Sequence, residues 1–169
     1  MIHYDVAPIA GFDPEIGLLL AALEDSTREW QENLEEPSVE AICWQPAPDF
    51  HSIGAIFLHM ADCEAYWFEE VAAKLERTPE ELQQLLVNET DQDNVKWPTP
   101  PAEPIEWYFD LHRRIRARSI QAIKNIASDQ SFQGTRASYT LRWIVAHVVE
   151  HDAYHGGQAV LLYELWKLR

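Results

Sequence analysis

Hydrophobic residues recur along this chain with the spacing of amphipathic helices. Asp13 followed by Pro14 is typical of a helix N-cap with proline in the first turn, and apolar residues then recur three and four positions apart as far as Leu34. Ser52 precedes a second apolar stretch of the same kind, which ends near Ala73. We therefore predict one helix over 13–34 and a second over 52–73.

The second half of the chain contains two more such stretches. They predict a third helix from about Pro104 to Ile126 and a fourth, the longest, from about Tyr139 to Trp166. Between the second and third helices, Thr78 begins a short helix, and a proline-rich segment follows it over 97–101. No stretch alternates convincingly with a period of two, so we predict no β-strand.

Four amphipathic helices without strands bury their apolar faces most simply by packing as a four-helix bundle. The segment between the second and third helices is long enough to travel the length of the bundle, so those two helices are expected to run parallel. The predicted fold is therefore all-α, with up-down-down-up topology and a long crossover between helices two and three. A length of 169 residues fits a single domain spanning 1–169.

Composition narrows the range of partners and the cellular setting. The net charge is -15, which repels a phosphate backbone and argues against nucleic acid as a partner. No apolar stretch is long enough to span a bilayer, and residues 1–12 lack the pattern of a signal peptide. Two cysteines give no disulfide framework. We therefore expect a cytoplasmic protein that does not bind or span a membrane.

Histidines supply the candidate chemistry. His147, His151 and His155 are spaced four residues apart in the fourth predicted helix, and His59 lies among apolar residues of the second. Side chains four residues apart project from one helix face on successive turns, so His151 and His155 could share one divalent ion. His59 is the natural third ligand, although a lone histidine on an apolar face is more often a hydrogen-bonded core residue.

Several neighbours of these histidines have open roles. His147 could be a fourth ligand or could hydrogen-bond beside the site. Cys63 could offer a sulfur ligand or simply fill apolar space. Four carboxylates lie near these histidines in sequence: Asp62, Glu64, Glu150 and Asp152. Each could accept an imidazole N–H, but for any one of them we expect a solvated carboxylate.

Two sequence segments resemble the DinB-like superfamily. They are Ser52-Ile-Gly-Ala-Ile-Phe-Leu-His59 with the residues up to Trp67, and Thr140 to Gln158, which contains His147, His151 and His155. The resemblance covers essentially the whole chain. It implies an up-down-down-up four-helix bundle whose divalent ion is held by His59, His151 and His155. Many relatives have a second histidine beside the last ligand, where this chain has Tyr154 or Gly156.

The resemblance also implies a function. Characterised relatives include enzymes that use mycothiol, bacillithiol or glutathione for isomerisation or S-conjugation, so we expect a metal-dependent thiol transferase or isomerase acting on a small electrophile. The expected cofactors are one divalent ion, zinc, nickel, iron or manganese, and a low-molecular-weight thiol. Two alternatives remain at this point: a non-catalytic or stress-associated metal-binding bundle, and a metal-dependent hydrolase. A homodimer is also expected, with Trp97, Trp107 and Trp166 as interface or core aromatics.

The arginines form a second group of interest. Arg113, Arg114, Arg116 and Arg118 are predicted to face mostly outward as a solvated surface, with binding of an anionic substrate as the alternative. Arg142 could orient a carboxylate near the ion or form a salt bridge at the start of its helix.

Overall fold

The structure, a computed structural model that describes residues 5–91, 94, 96–134 and 137–169, is mostly helical. Its α-helices are α1 (Pro14–Glu32), α2 (Val39–Cys43), α3 (Ile53–Ala65), α4 (Pro79–Gln84), α5 (Ile105–Ile123) and α6 (Leu141–Lys167). A π-helical segment, Tyr66–Ala72, continues from α3, and a 3-10 turn, Val87–Glu89, follows α4. Two strands, β1 (Ser131–Gln133) and β2 (Ser138–Thr140), pair as an antiparallel hairpin. No helix in these residues has a stretch that is long and apolar enough to cross a membrane.

The four long predicted helices are present as α1, α3 with its π-helical continuation, α5 and α6. The predicted start signals explain where they begin. The carboxylate of Asp13 accepts the Glu15 backbone N–H at 3.0 Å, and the hydroxyl of Ser52 accepts the Ala55 backbone N–H at 3.3 Å. Thr78 caps the short helix α4 in the same way.

The prediction of no strand was wrong for the segment between α5 and α6. Each strand of the hairpin has three residues, and Phe132 of β1 is the one that is fully buried. Strands this short cannot display an alternating pattern, because they contain at most one full period of it. The helix α2 was not predicted either, because its five residues are too few to show a helical period.

The apolar residues of the helices form two hydrophobic clusters. The first contains Trp30, the first part of α3, the start of α5 and the last turns of α6, and the second contains Leu20, Phe68, Ile123 and the first two turns of α6. Helix α6 packs against both α1 and α3, and α3 packs also against α5. The relative directions of the long helices remain a prediction at this stage.

A layer of buried and half-buried polar side chains joins four of the helices. Asp152 on α6 accepts hydrogen bonds from Ser26 at 2.8 Å, Thr27 at 3.0 Å and the Trp30 indole at 3.0 Å. Arg116 on α5 bridges this carboxylate, at 3.1 Å, to Glu64 on α3, at 2.8 Å. We call this set the polar layer: Ser26, Thr27, Trp30, Glu64, His112, Arg116 and Asp152. It links α1, α3, α5 and α6 through hydrogen bonds and ion pairs.

Two adjacent glycines on α6 offer a matched test of the α1–α6 contact. A Cβ on Gly156 would overlap the Trp30 ring, whereas a Cβ on Gly157 would meet nothing within 4 Å. We expect Gly156→Ala to lower the free energy of unfolding by about 1–3 kcal/mol, as overpacking does. Gly157→Ala should raise it by up to about 1 kcal/mol, because alanine favours the helix. Urea denaturation measures both, and equal effects of the two substitutions would contradict this packing.

Candidate metal centre

The structure brings the three predicted ligands together, one from α3 and two from α6. The Nε2 atoms of His59 and His151 are 2.9 Å apart. The ring centroid of His155 lies 4.9 Å from that of His59 and 4.3 Å from that of His151. One ligand atom from each residue lies within 4.8 Å of the other two. Among the described residues, these three histidines form the grouping that could hold a metal ion.

The size and chemistry of this cluster fit a divalent cation. Ligand nitrogens at 2.0–2.1 Å from a tetrahedral zinc ion lie roughly 3.3 Å from one another, and the His59–His151 separation of 2.9 Å is close to this value. Imidazole nitrogen is also a good ligand for nickel and iron, so the donor set alone does not select the metal. Three protein ligands leave at least one coordination position for water or a substrate, as in reactive rather than purely structural zinc sites.

Gln158 fixes the orientation of one ring. Its side-chain oxygen Oε1 lies 2.7 Å from Nδ1 of His155, a distance at which Nδ1–H donates to the amide oxygen. That bond places the proton on Nδ1 and leaves Nε2 with a lone pair for a metal. Gln158 was not among the predicted site residues, although its position three residues after His155 on one helix face could have indicated a role.

One aromatic residue of the crossover, Trp97, packs against the cluster. The ring of Trp97 meets the ring of His59 edge to face, with centroids 5.3 Å apart, and lies 6.4 Å from the ring of His155. His51 packs on the other side of Trp97 at 5.5 Å. Trp97 therefore borders the cluster and is only 8% exposed. This burial favours core packing over an interface role for Trp97.

Burial keeps the histidines neutral. Burial, with a further contribution from His155, lowers the pKa of His59 from 6.5 to about 3. Burial lowers the pKa of His151 to about 2, again with contributions from neighbouring histidines. The pKa of His155 is also lowered by burial, against the opposing effect of its bond to Gln158. Neutral imidazole is the form that binds metal, so the cluster is prepared for a cation at neutral pH.

These shifts predict how the stability of the metal-free protein depends on pH. Above pH 6.5 the histidines are neutral both folded and unfolded. Below pH 6.5 His59 and His151 bind protons in the unfolded chain but stay neutral in the folded protein. Each of the two therefore lowers the free energy of unfolding by about 1.4 kcal/mol per pH unit, down to about pH 3. Urea denaturation between pH 7.5 and 5.5 should show this loss. His151→Ala should show a shallower slope, and an identical slope would contradict the expectation.

His147 and Cys63 lie near the cluster but outside it. The ring of His147 is stacked on Trp143, with centroids 4.9 Å apart and planes 8° from parallel, and its centroid is 6.2 Å from that of His151. Burial, together with the charges of Asp62 and Glu64, raises the pKa of the Cys63 thiol far above its usual value. A thiol held in its protonated form is a poor metal ligand, which fits the role of a buried apolar side chain.

The expectation that the nearby carboxylates are solvated was wrong for Glu64 and Asp152. Both are buried in the polar layer, together with Arg116, which was wrongly predicted to face outward and has a side chain only 11% exposed. Burial alone would raise the pKa of Glu64, but the charge of Arg116 and the hydrogen bond from His112 lower it to about 2. Glu64 is therefore ionised, and its carboxylate is bound by Arg116 and His112.

The other charged residues have structural roles. Asp62 pairs with Arg77 at 2.5 Å, and Arg77 also binds Glu70. Arg142 forms a salt bridge with Glu15, which joins the first turns of α6 and α1, as the structural alternative predicted.

The other two tryptophans considered for an interface also pack within the chain. Trp107 is half-buried against the first cluster, and Trp166 packs against Trp44 with ring centroids 5.8 Å apart.

Comparison with known proteins identifies the family. None of the curated proteins matches the chain significantly. A family model described as mycothiol-S-transferase matches residues 18–167, which include all three histidines of the cluster, Gln158 and the whole polar layer. That family is part of the DinB-like superfamily, in agreement with the resemblance of the two histidine segments. The chain therefore belongs to the mycothiol-S-transferase family.

Proposed function

We propose that this protein is a metal-dependent S-transferase that joins mycothiol to a small electrophile, with His59, His151 and His155 as the metal ligands. The observation that carries the proposal is the convergence of three neutral imidazoles from two helices in a chain of this family. The family and the triad together support a thiol-using, metal-dependent transferase. The net charge of -15 favours mycothiol, which has no carboxylate, over glutathione, which has two.

The chain's own residues would prepare the site for this reaction. A divalent ion, when bound, would supply a Lewis acid that favours the thiolate form of a thiol. His59, His151 and His155 would hold it, and Gln158 keeps the His155 ring in the required tautomer. Trp97, which packs edge to face on His59 and is 8% exposed, would restrict the access of water on that side. The thiol loses its proton to solvent, its sulfur bonds to the electrophilic carbon, and the leaving group departs with the electron pair of the broken bond.

The direct test is a coupling assay with protein loaded with zinc. We expect turnover of mycothiol with 1-chloro-2,4-dinitrobenzene or with iodoacetamide, loss of turnover on chelation, and recovery when zinc is restored. Bacillithiol and glutathione should react more slowly. Turnover that survives complete metal removal would contradict the metal dependence. A protein that binds one zinc ion and catalyses no transfer would favour the non-catalytic bundle, and hydrolysis of an acceptor without thiol would favour the hydrolase.

We also propose the up-down-down-up bundle as the arrangement of the long helices in one domain, 1–169. Its support is the packing of α6 on α1 and α3, the packing of α3 on α5, and the long segment between α3 and α5. Distances between spin labels near Pro14, Ile53, Ile105 and Leu141 would test it. In this topology α1 and α6 start at one end of the bundle, and α3 and α5 start at the other.

We propose that the protein is a cytoplasmic homodimer. The free cysteines Cys43 and Cys63 support a reducing compartment. Leu161 and Leu165 are exposed one turn apart near the end of α6, and Leu168, which follows the helix, is exposed as well, so a second copy could cover all three. Light scattering should give twice the chain mass for the wild type and the chain mass for Leu161→Glu. A monomeric wild type would contradict the dimer.

A further inference from the structure

Five aromatic rings form a continuous surface beside the metal cluster. We call it the aromatic wall: Tyr66, Trp67, Tyr139, Trp143 and His147. Trp67 lies at its centre and meets Tyr139 at 5.2 Å, Trp143 at 5.5 Å and His147 at 5.2 Å between ring centroids. Tyr139 and Trp143 are 4.6 Å apart, and Tyr66 contacts Trp67 at 5.3 Å. The rings come from three places in the chain, the π-helical segment, β2 and α6.

The wall leads directly to a proposed metal ligand. Trp143, His147 and His151 succeed one another on three turns of α6, and the stacked Trp143–His147 pair ends 6.2 Å from the His151 ring. A molecule that lies on Trp143 would therefore have its far end about two helical turns, or roughly 11 Å, or less from the cluster. This distance suits one small substrate that reaches both places.

Exposure distinguishes the wall from the hydrophobic clusters. Trp143 and Tyr66 each keep 43% of their surface in solvent, although the other tryptophan of the wall, Trp67, is half-buried. A patch of large exposed rings next to polar groups is typical of a ligand site. The π-helical segment gives a second indication, because such segments are uncommon and occur often at functional sites.

The part of the wall formed by Tyr66, Trp67 and Tyr139 borders a cavity with polar groups. This cavity of about 500 Å³ is lined by Tyr66, Trp67 and Tyr139 together with Glu70, Lys74 and Gln133. Its volume falls in the range of small-molecule sites. Apolar rings on one side and a few hydrogen-bonding groups on the other would select a flat ring that carries polar substituents.

We propose that the aromatic wall is the acceptor subsite, and that it binds electrophiles containing a flat aromatic ring. The inference rests on the proposed function, since it assigns the second substrate of the same site. The ring packs against Trp143 and Trp67, whose planes are 68° apart, so that it meets at least one of the two edge to face, and this contact positions the electrophilic carbon toward the cluster. With a chloronitroarene, the thiol sulfur bonds to the ring carbon, the carbon–chlorine bond breaks, chloride leaves with the electron pair, and the thiol proton goes to solvent.

The test compares two acceptors that differ in shape. 1-Chloro-2,4-dinitrobenzene has a flat ring, and iodoacetamide has none, while both accept a thiol with loss of a halide. We expect Trp143→Leu to lower the ratio of kcat/KM for the arene to kcat/KM for iodoacetamide about tenfold, because the variant loses an aromatic contact with the arene that iodoacetamide does not make. Trp107→Leu replaces a half-buried tryptophan of α5 outside the wall and should leave the ratio within about twofold. An unchanged ratio in Trp143→Leu would overturn the proposal.

A binding experiment separates this inference from the proposed function. 2,4-Dinitroaniline has the same ring but no leaving group. Added to the zinc-loaded protein, it should shift the indole N–H resonances of Trp143 and Trp67, each identified by its absence in the leucine variant, and leave that of Trp107 in place. If the wild type transfers thiol to neither acceptor, the proposed function fails, and these shifts still decide whether the wall binds arenes. No shift at Trp143 would overturn the wall as a subsite.

Discussion

Replacing His151 by alanine should reduce bound zinc from one equivalent to less than half an equivalent after dialysis. The substitution removes one of three nitrogens within 4.8 Å of one another and breaks the pair that α6 supplies. Removing a group that merely orients a ligand already costs 10–100-fold in metal affinity, so losing a ligand should cost at least about 100-fold. His155→Ala and His59→Ala should behave alike. Elemental analysis and competition with a chelator measure the loss.

The matched control is His147→Ala, which removes a histidine one turn away on the same helix whose ring is stacked on Trp143. It should keep about one equivalent of zinc. Gln158→Leu should give an intermediate result, a decrease in affinity of about tenfold, because it removes only the bond that orients His155. Full metal content in His151→Ala or in His155→Ala would reject the ligand assignment.

Replacing Arg116 by methionine should lower the free energy of unfolding by about 3–5 kcal/mol, the usual effect of breaking a buried ion pair from one side. Arg116 holds Glu64 at 2.8 Å and Asp152 at 3.1 Å, and both carboxylates are buried. Without the guanidinium, two negative charges remain in an apolar interior. The deficit relative to wild type should narrow as the pH falls toward 4, because the charge of Arg116 lowers the pKa of Glu64, and without that charge the Glu64 carboxyl can take up a proton.

Arg113→Met is the control on the same helix. Arg113 is 72% exposed and pairs with Asp110 at the surface, so its loss should change stability by less than about 1 kcal/mol. Urea denaturation of both variants at pH 7.5 and at pH 4.5 gives the comparison. Equal effects of the two substitutions would mean that the polar layer does not contribute to stability as described.

The long helices and the histidine cluster could be predicted from the sequence because both depend on local spacing. A capping residue and an apolar period define a helix, and residues such as His151 and His155 share a face whatever the rest of the chain does. The choice of His59 required more than spacing, since its proximity to α6 depends on tertiary packing. The resemblance to the DinB-like superfamily supplied that information.

The polar layer was not predicted, because its bonds join residues far apart in sequence. Arg116 and Glu64 are 52 positions apart, and Thr27 and Asp152 are 125 apart. One signal was available. His112, Arg116, Ser119 and Ile123 follow the helical period of the buried face of α5, so Arg116 could have been placed inward despite its charge. Arg116 was instead grouped with the three neighbouring arginines and was predicted to be exposed like them.

The contact between Trp97 and His59 has a consequence for motion around the site. The backbone N–H of Trp97 donates to the carbonyl of Asp49 at 3.0 Å, and the side chain of Gln45 donates to the carbonyl of Trp97 at 3.4 Å. These bonds tie the loop before α3 to the loop before α5. Amide protons of the two loops should therefore exchange with deuterium as one cooperative unit, and a cation held by His59 should slow both together.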